Sequence, residues 1–542
     1  MKRHTRKGLT VAATIMLAGG LLAACGGNNN EENRPSAASA SGASQTASTA
    51  GTSAQSIAIS YYTALNANAS AVVTSLSDVE MYKELQKRTG VAVNFKHPAV
   101  GQEKEQFNLL IASGNLTDVI ETAWNDYPGG PSKALADGTI VKLNDLIAQN
   151  APNLSKLMKE NEAVDKMVRT DTGDIYMMPM INLGKYRSFD GPFFRKDWLD
   201  ELGLKTPKTI GDWENTLRAF KEKKGATAPF TATAKKLKEF TMLPGAFGVS
   251  HGYYLDGGKV KYGPAQDGYK QYIALMNKWF KEGLLDPDTF ANDTKKMESN
   301  LTSGKSGLIF GYIGGTMGTL TTSVRQTDPK FELVGAQYPV LNDGDKPQFV
   351  KRDPEVNASG QVGITKANAH PAETVKWLDT LYGEDGALLK NFGVEGLTYT
   401  MGNGKPTYTD LIMKNPDKLS PAQAMAKYFR ANYPSPGLAD DRYIEQYYTL
   451  PEQQEAAKTF AEYADLSLEH VLPPVTLTPE ESEELAQIEG EVNTYLDEMT
   501  AKFIMGVEPI DNYDKFVSQL QKMKIDRAVE LKQAAYDRYA KR

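Results

Sequence analysis

Between residues 57 and 121 the chain switches repeatedly between two hydrophobic rhythms. Ile57-Ala58-Ile59-Ser60-Tyr61-Tyr62 and Val91-Ala92-Val93-Asn94-Phe95 are short runs, rich in β-branched and aromatic residues, that predict strands. Asp118-Val119-Ile120-Glu121 predicts a third. Between them the apolar positions take helical spacing. Ser77-Asp78-Val79-Glu80 reads as a capping box opening a helix, with Met81 and Leu85 on one face and Gly90 as the stop. Gln102 to Ser113 predicts a second helix, with Phe107, Leu110 and Ile111 inward and Gly114 closing it. Strand, helix, strand, helix, strand is the order of a parallel sheet with helices on its faces. Ligands of such sheets sit beyond the carboxyl ends of the strands. Trp124 and Asp126 follow the third strand, so Trp124 either faces a ligand or lies buried under its loop.

A second alternating region begins near Asp174-Ile175-Tyr176. Phe193-Phe194-Arg195 predicts a strand, and Lys196 to Leu204 a short helix with Gly203 near its end. Thr209-Ile210-Gly211-Asp212 is another capping box, ahead of Trp213, Leu217 and Phe220 on one helical face. Gly307 to Tyr312 predicts a buried strand running into a Gly-rich turn. Val362-Gly363-Ile364 predicts another strand, Ala372 to Tyr382 a helix, and Thr478 to Arg542 a mostly helical end.

The first 56 residues follow neither rhythm. Four cations, Lys2, Arg3, Arg6 and Lys7, precede an apolar run to Leu22, then small residues and Cys25, the one cysteine of the chain. That is the layout of a secretory signal, too short to span a bilayer. Leu22-Ala23-Ala24-Cys25 resembles the bacterial lipobox, in which the thiol is acylated and the chain cut before it. The alternative is an ordinary signal peptide that happens to hold a cysteine. The expectation is a lipoprotein signal peptide over 1–24, lipidated Cys25, and a Ser/Ala/Gly leash over 25–56 holding the body at the extracellular face of the cell membrane.

Composition then narrows the function. Loss of the four leader cations takes the formal net charge from −6 to −10. An acidic body argues against nucleic acid and against charge-driven adhesion to anionic lipid. One cysteine leaves no disulfide framework. Residues 57–542 exceed one compact core, so at least two domains are expected. Gly248-Val249-Ser250-His251-Gly252 matches the nucleophile-elbow pattern of hydrolases. That pattern needs a helix after the serine, whereas Tyr253 to Tyr262 reads as a hairpin turning at Gly257-Gly258. Five scattered histidines offer no zinc pair. No catalytic residue, metal site or cofactor is therefore expected.

Arg195-Lys196-Asp197-Trp198-Leu199-Asp200-Glu201-Leu202-Gly203-Leu204 and the following Lys-Thr-Pro-Lys-Thr strongly resemble the family 1 extracellular solute-binding proteins of bacterial ABC importers. Within that family the chain resembles the large LipO-type lipoproteins of Gram-positive bacteria such as Paenibacillus and Bacillus. Leu109 to Asp118, Gly173 to Pro179, Gly393 to Tyr399 and Ala501 to Gly506 match further family segments in order, with Thr117 where proline is usual.

The resemblance implies an α/β fold of the type II periplasmic-binding-protein kind: two discontinuous lobes, a hinge and a central ligand cleft. The lobes are expected over 57–182 with 350–388, and over 183–349 with 389–542, with crossings near 180–190 and 342–352. Some relatives carry a calcium loop after the helix matching Thr209–Phe220. Here that stretch is Lys-rich and lacks the oxygen ligands a hard cation needs. The resemblance also implies a carbohydrate ligand, capture by lobe closure, delivery to the transmembrane subunits of a permease, and a monomer. The alternatives are a peptide or other polar solute, or an exported hydrolase. Sugar recognition needs flat apolar faces and planar polar groups. Trp124, Tyr254, Tyr312 and Tyr399 are the candidate platforms; Asp126, Arg195 and Glu395 are the candidate hydrogen-bonding groups. Trp124 and Glu395 rank first, and Arg195 has the competing role of pairing with Asp197.

Overall fold

A computed structural model describes residues 57–542, Asn432 excepted. The leader, Cys25 and the leash lie outside the described residues.

The N-terminal rhythm builds a four-stranded sheet. Ala58–Tyr62 pairs in parallel with Ala92–Lys96, Ile59 opposite Val93 and Tyr61 opposite Phe95. On its other side it pairs in parallel with Val119–Thr122. Gln361–Ile364 returns from far along the chain to close the edge antiparallel to Val119–Thr122. Helix Glu80–Thr89 buries Met81, Tyr82 and Leu85 and stops at Gly90, whose φ of 72° suits a residue without Cβ. The capping box expected at Ser77 does not form. Ser75 instead caps a tight 3₁₀ turn, Leu76–Asp78, and the helix begins at Glu80 without a side-chain cap. The turn lets both Leu76 and Val79 point into the core, where neither is exposed.

The second sheet centres on Asp190–Arg195, every residue of which is buried. It runs antiparallel to Leu308–Tyr312 and to Leu333–Gly335, and Phe230–Thr231 joins in parallel beyond Leu308–Tyr312. Helix Ile210–Lys224 starts at Thr209 with the full capping box to Asp212 and buries Trp213, Leu217 and Phe220. Each such side chain contributes about 1.5–3 kcal/mol when taken fully out of water.

Apolar residues gather into two main cores. The first holds Tyr61, Val119, Trp124, Met178, Val362 and Trp377. It also holds Phe392, Tyr399, Tyr408, Met425 and Phe429. Residues 389–431 therefore pack with 57–182, which corrects their assignment to the C-terminal lobe. Tyr408 lies 5.2 Å from Phe392 and 5.6 Å from Phe429, which knits the segment together, and Arg430 ties it to the first body by donating to Glu121 at 2.7 and 2.9 Å and to Tyr82 Oη at 2.9 Å. The second core holds Trp213, Phe230, Trp279 and Phe310, covered by the C-terminal helices through Phe503, Phe516 and Leu531. A smaller cluster around Phe193, Ile309, Phe331 and Phe460 flanks it.

Three chain segments cross between these bodies among the described residues, and they are tied to one another. Asn182 N donates to Glu355 O at 2.9 Å and Asp353 N to Arg187 O at 2.7 Å. Ser188 Oγ donates to Lys351 O at 2.9 Å. The third crossing adds a parallel pairing of Gly437–Leu438 with Met180–Ile181, and Ala439 N donates to Ile181 O at 2.8 Å. Among the described residues no helix is long and apolar enough to cross a membrane.

Candidate ligand site between the two cores

A cavity of about 430 Å³ opens where the crossings meet the two bodies. The first body contributes Asn68, Tyr433 and Pro434; the second contributes Tyr312, Gly314 and Tyr447. The crossings supply Asn182, Lys351, Asp353, Asn357 and Asp441.

Tyr312 stands at the carboxyl end of Leu308–Tyr312, where the strand gives way to a π-helical turn, Ile313–Gly318. At 46 % exposure it presents a flat face to the opening. Lys236 Nζ lies 4.9 Å and Lys351 Nζ 5.6 Å from its ring centroid. Lys351 Nζ donates to Asp190 Oδ2 at 2.6 Å. Burial alone would lower the Lys351 pKa; the Asp190 carboxylate outweighs it and raises the pKa, so the ammonium stays charged. Burial lifts the Asp353 carboxyl to about 6, against the pull of Lys351 beside it.

A further part of the lining is aromatic. Helix Arg442–Tyr447 places Tyr443 and Tyr447 one turn apart, with ring centroids 6.5 Å apart and planes at 29°. Gly314 is the residue that lets this wall close on the π-helical turn. A Cβ there would sit 2.4 Å from the Tyr447 ring.

Tyr433 and Pro434 are held from behind by a buried ion pair. Arg430 donates to Glu121 Oε1 at 2.7 Å and Oε2 at 2.9 Å, and to Pro434 O at 2.9 Å. Tyr61 Oη donates to Glu121 Oε2 at 2.7 Å, and Arg430 Nη1 donates to Tyr82 Oη at 2.9 Å. The Arg430 guanidinium also lies 4.5 Å from the Tyr433 ring centroid.

Of the seven site residues expected from sequence, the structure brings Tyr312 to the cavity and leaves the other six elsewhere. Trp124 is wholly buried, 6.1 Å from Phe107, and so close to the sheet that a Cβ on Gly363 would come within 2.4 Å of its ring. It is a core residue under its loop. Asp126 lies exposed on the turn after it, away from the cavity. Arg195 is spent on Asp197, at 2.8 and 2.5 Å, between the rings of Trp198 and Phe331. Tyr254 is buried edge-on against Phe349, and Tyr399 against Phe392. Glu395 is exposed on a turn outside the cavity. The groups that sequence reasoning missed are Lys351, Asp353, Tyr433, Tyr443 and Tyr447. The Tyr443-x-x-x-Tyr447 spacing was a visible signal, since it puts two rings on one helical face.

The nucleophile-elbow segment does not form an elbow. The hairpin Tyr253–Asp256/Lys259–Tyr262 follows it directly. His251 Nδ1 pairs with Tyr269 Oη at 3.0 Å, and burial pulls its pKa down to about 3. Among the described residues no three His, Cys, Asp or Glu side chains gather as a metal site would require.

Two α/β bodies joined by tied crossings, with an aromatic cavity between them, define a binding protein of the type II periplasmic fold. Residues 38–388 match the bacterial extracellular solute-binding protein family, and the chain belongs to that family. It is 25 % identical over 494 residues to the fructooligosaccharide ABC transporter substrate-binding protein FusA of Streptococcus pneumoniae serotype 4, covering 84 % of this chain and 86 % of that one. It is 23 % identical over 366 residues to lipoprotein LipO of Bacillus subtilis, covering 64 % and 68 %. The crystal structure of the alginate-binding protein AlgQ2 without calcium superposes with a TM-score of 0.75 at 26 % identity, over 90 % of this chain and 99 % of that one.

Proposed function

We propose that this protein captures an oligosaccharide for an ABC importer, without making or breaking a bond. The observation that carries the reading is Tyr312, an exposed ring at a strand's carboxyl end, lining with Tyr433, Tyr443 and Tyr447 one cavity of about 430 Å³. Aromatic faces bind the C–H surfaces of sugar rings, and the Asn68 amide, with the second N–H and lone pair that Asn182 and Asn357 keep beyond their own internal bonds, supplies donors and acceptors for hydroxyls. The relative FusA, matched over most of both chains, carries a fructooligosaccharide name that agrees with this chemistry. In the proposed mechanism the two bodies rotate about the crossings at 180–188, 351–357 and 437–441, because the closed state makes more contacts with the ligand. Acylation at Cys25 would keep the protein at the outer face of the membrane beside its permease.

The test is isothermal calorimetry of residues 57–542 against neutral and acidic oligosaccharides and against short peptides. A sugar binds, and Tyr312→Ala weakens it by about tenfold or more, as expected of an aromatic anchor. Binding of peptide and of no sugar would overturn the carbohydrate reading.

A further inference from the structure

The ionisable groups of the cavity go further than its aromatic rings, because they sort sugars by charge. Among the described residues lining it, Lys351 is the single cation, against Asp190, Asp353 and Asp441. That cation is already taken: Lys351 donates to Asp190 at 2.6 Å. Lys236, the other ammonium near Tyr312, donates to Glu239 at 2.9 Å. Cations just outside the wall are committed too, Lys185 to Glu445 at 2.9 Å and Arg442 to Asp440 at 2.5 Å. Asp441 accepts from the Tyr186 N–H at 3.0 Å, a neutral donor, and is in no ion pair of its own among the described residues; the nearby Lys185 ammonium is paired with Glu445. Among the described residues Asp353 has no ion-pair partner within salt-bridge distance; its neighbours Lys351 and Arg352 are paired with Asp190 and with Glu355 and Asp465.

The paired groups cancel, and two carboxylates remain. Carboxylates accept hydrogen bonds, and sugar hydroxyls donate them. A uronate brings acceptors of its own and a negative charge on each ring. Recognition of a carboxylate calls for a free guanidinium or ammonium, and this cavity holds none uncommitted among its described residues. We propose that the site takes uncharged oligosaccharides and rejects uronates, with Asp353 and Asp441 as the residues that set the discrimination. This rests on the carbohydrate reading above and narrows it to one ligand class.

The experiment compares wild type, Asp353→Asn and Asp441→Asn at pH 8, above the value of about 6 to which burial lifts Asp353. The probes are neutral fructo- and xylo-tetraose on one side, and tetragalacturonate and tetraguluronate on the other, each measured by calorimetry at low and high salt. A neutral tetrasaccharide binds wild type at least tenfold more tightly than either uronate, following the strength of like-charge repulsion at partly buried sites (about tenfold or more). The gap narrows as salt rises, and either Asn variant narrows it about tenfold at low salt. Tighter binding of a uronate to wild type, or a gap unmoved by both variants, overturns the charge selection while leaving the carbohydrate reading intact. Binding of no sugar of either class overturns both.

Discussion

Replacing Arg430 with methionine would leave the Glu121 carboxylate in the first core without its guanidinium partner. Both side chains are almost sealed from water, at 1 % and 4 % exposure. The guanidinium supplies two of the carboxylate's hydrogen bonds, and the Tyr61 hydroxyl is the remaining donor. Removing one partner of a buried pair costs about 3–5 kcal/mol, because the surviving charge keeps its desolvation penalty. A body of this length unfolds with an entropy of about 1 kcal/mol per kelvin if it melts as one unit, so the melting point falls by about 3–5 °C. If the first body melts separately, its transition falls further. The double variant Glu121→Leu/Arg430→Met removes both charges and recovers to within about 1–2 kcal/mol of wild type. Differential scanning calorimetry of residues 57–542 measures all three. The ion pair also ties Pro434 to Arg430, so Arg430→Met loosens Tyr433 and Pro434 in the cavity wall and weakens ligand binding at temperatures where the variant is folded. The reasoning is refuted if Arg430→Met melts within about 1 °C of wild type, or if the double variant is no more stable than the single one.

Three further outcomes follow from the same physical terms. Lys390 is fully buried, its ammonium has no hydrogen-bond partner among the described residues, and burial followed by the Arg430 charge pulls its pKa from 10.5 down to about 7. Between those values the native state holds fewer protons than the unfolded chain, so wild-type stability rises with pH across that window. Lys390→Met should raise the melting point most below pH 7 and gain almost nothing near pH 10.5; a gain equal at both ends would contradict this. Asp353 runs the other way: a carboxyl lifted from 3.8 to about 6 has a stabilising contribution present below its unfolded pKa and lost as pH rises through 6. Asp353→Asn is therefore expected to stabilise at pH 8 by about 1–3 kcal/mol and to be neutral at pH 3.5, checked by thermal melts at both values. Finally, Trp124→Ala costs about 3–5 kcal/mol of stability yet leaves ligand affinity of the folded protein within about twofold, since Trp124 lies outside the cavity; an affinity loss matching Tyr312→Ala would return Trp124 to the site.

Much of the fold was readable because local signals and burial agree. The strands around Tyr61, Val119 and Phe194, the helix capped at Thr209, and the Gly90 and Gly114 stops all obey their own periodicity. Residues 389–431 misled because a lobe assignment is a long-range fact: the pairing of Arg430 with Glu121, far apart in sequence, has no signature in either segment alone. The site was less readable for the same reason. Strand-end logic selected both Tyr312 and Trp124, and the difference between them is which way a ring turns after the strand. Trp124 turns inward because Gly363 on the neighbouring strand leaves room for it. Lys351 and Asp353 belong to no element with a period, and their importance appears only when the crossings are brought side by side.

The tied crossings bear on where closing torque can arise. If the bodies rotate about the crossings as proposed, Lys351 and Asp353 would sit on the axis itself, so a contact made there would be nearly the same before and after rotation and would add affinity without favouring either state. Tyr312 and Tyr433 stand on opposite bodies, off the axis, and a ligand spanning them gains contacts only as the angle narrows. Pivot substitutions would then shift open and closed affinities together, while substitutions on the arms would change how completely a bound ligand shuts the molecule. Recognition by charge and commitment by closure would thus reside in different residues, free to vary independently.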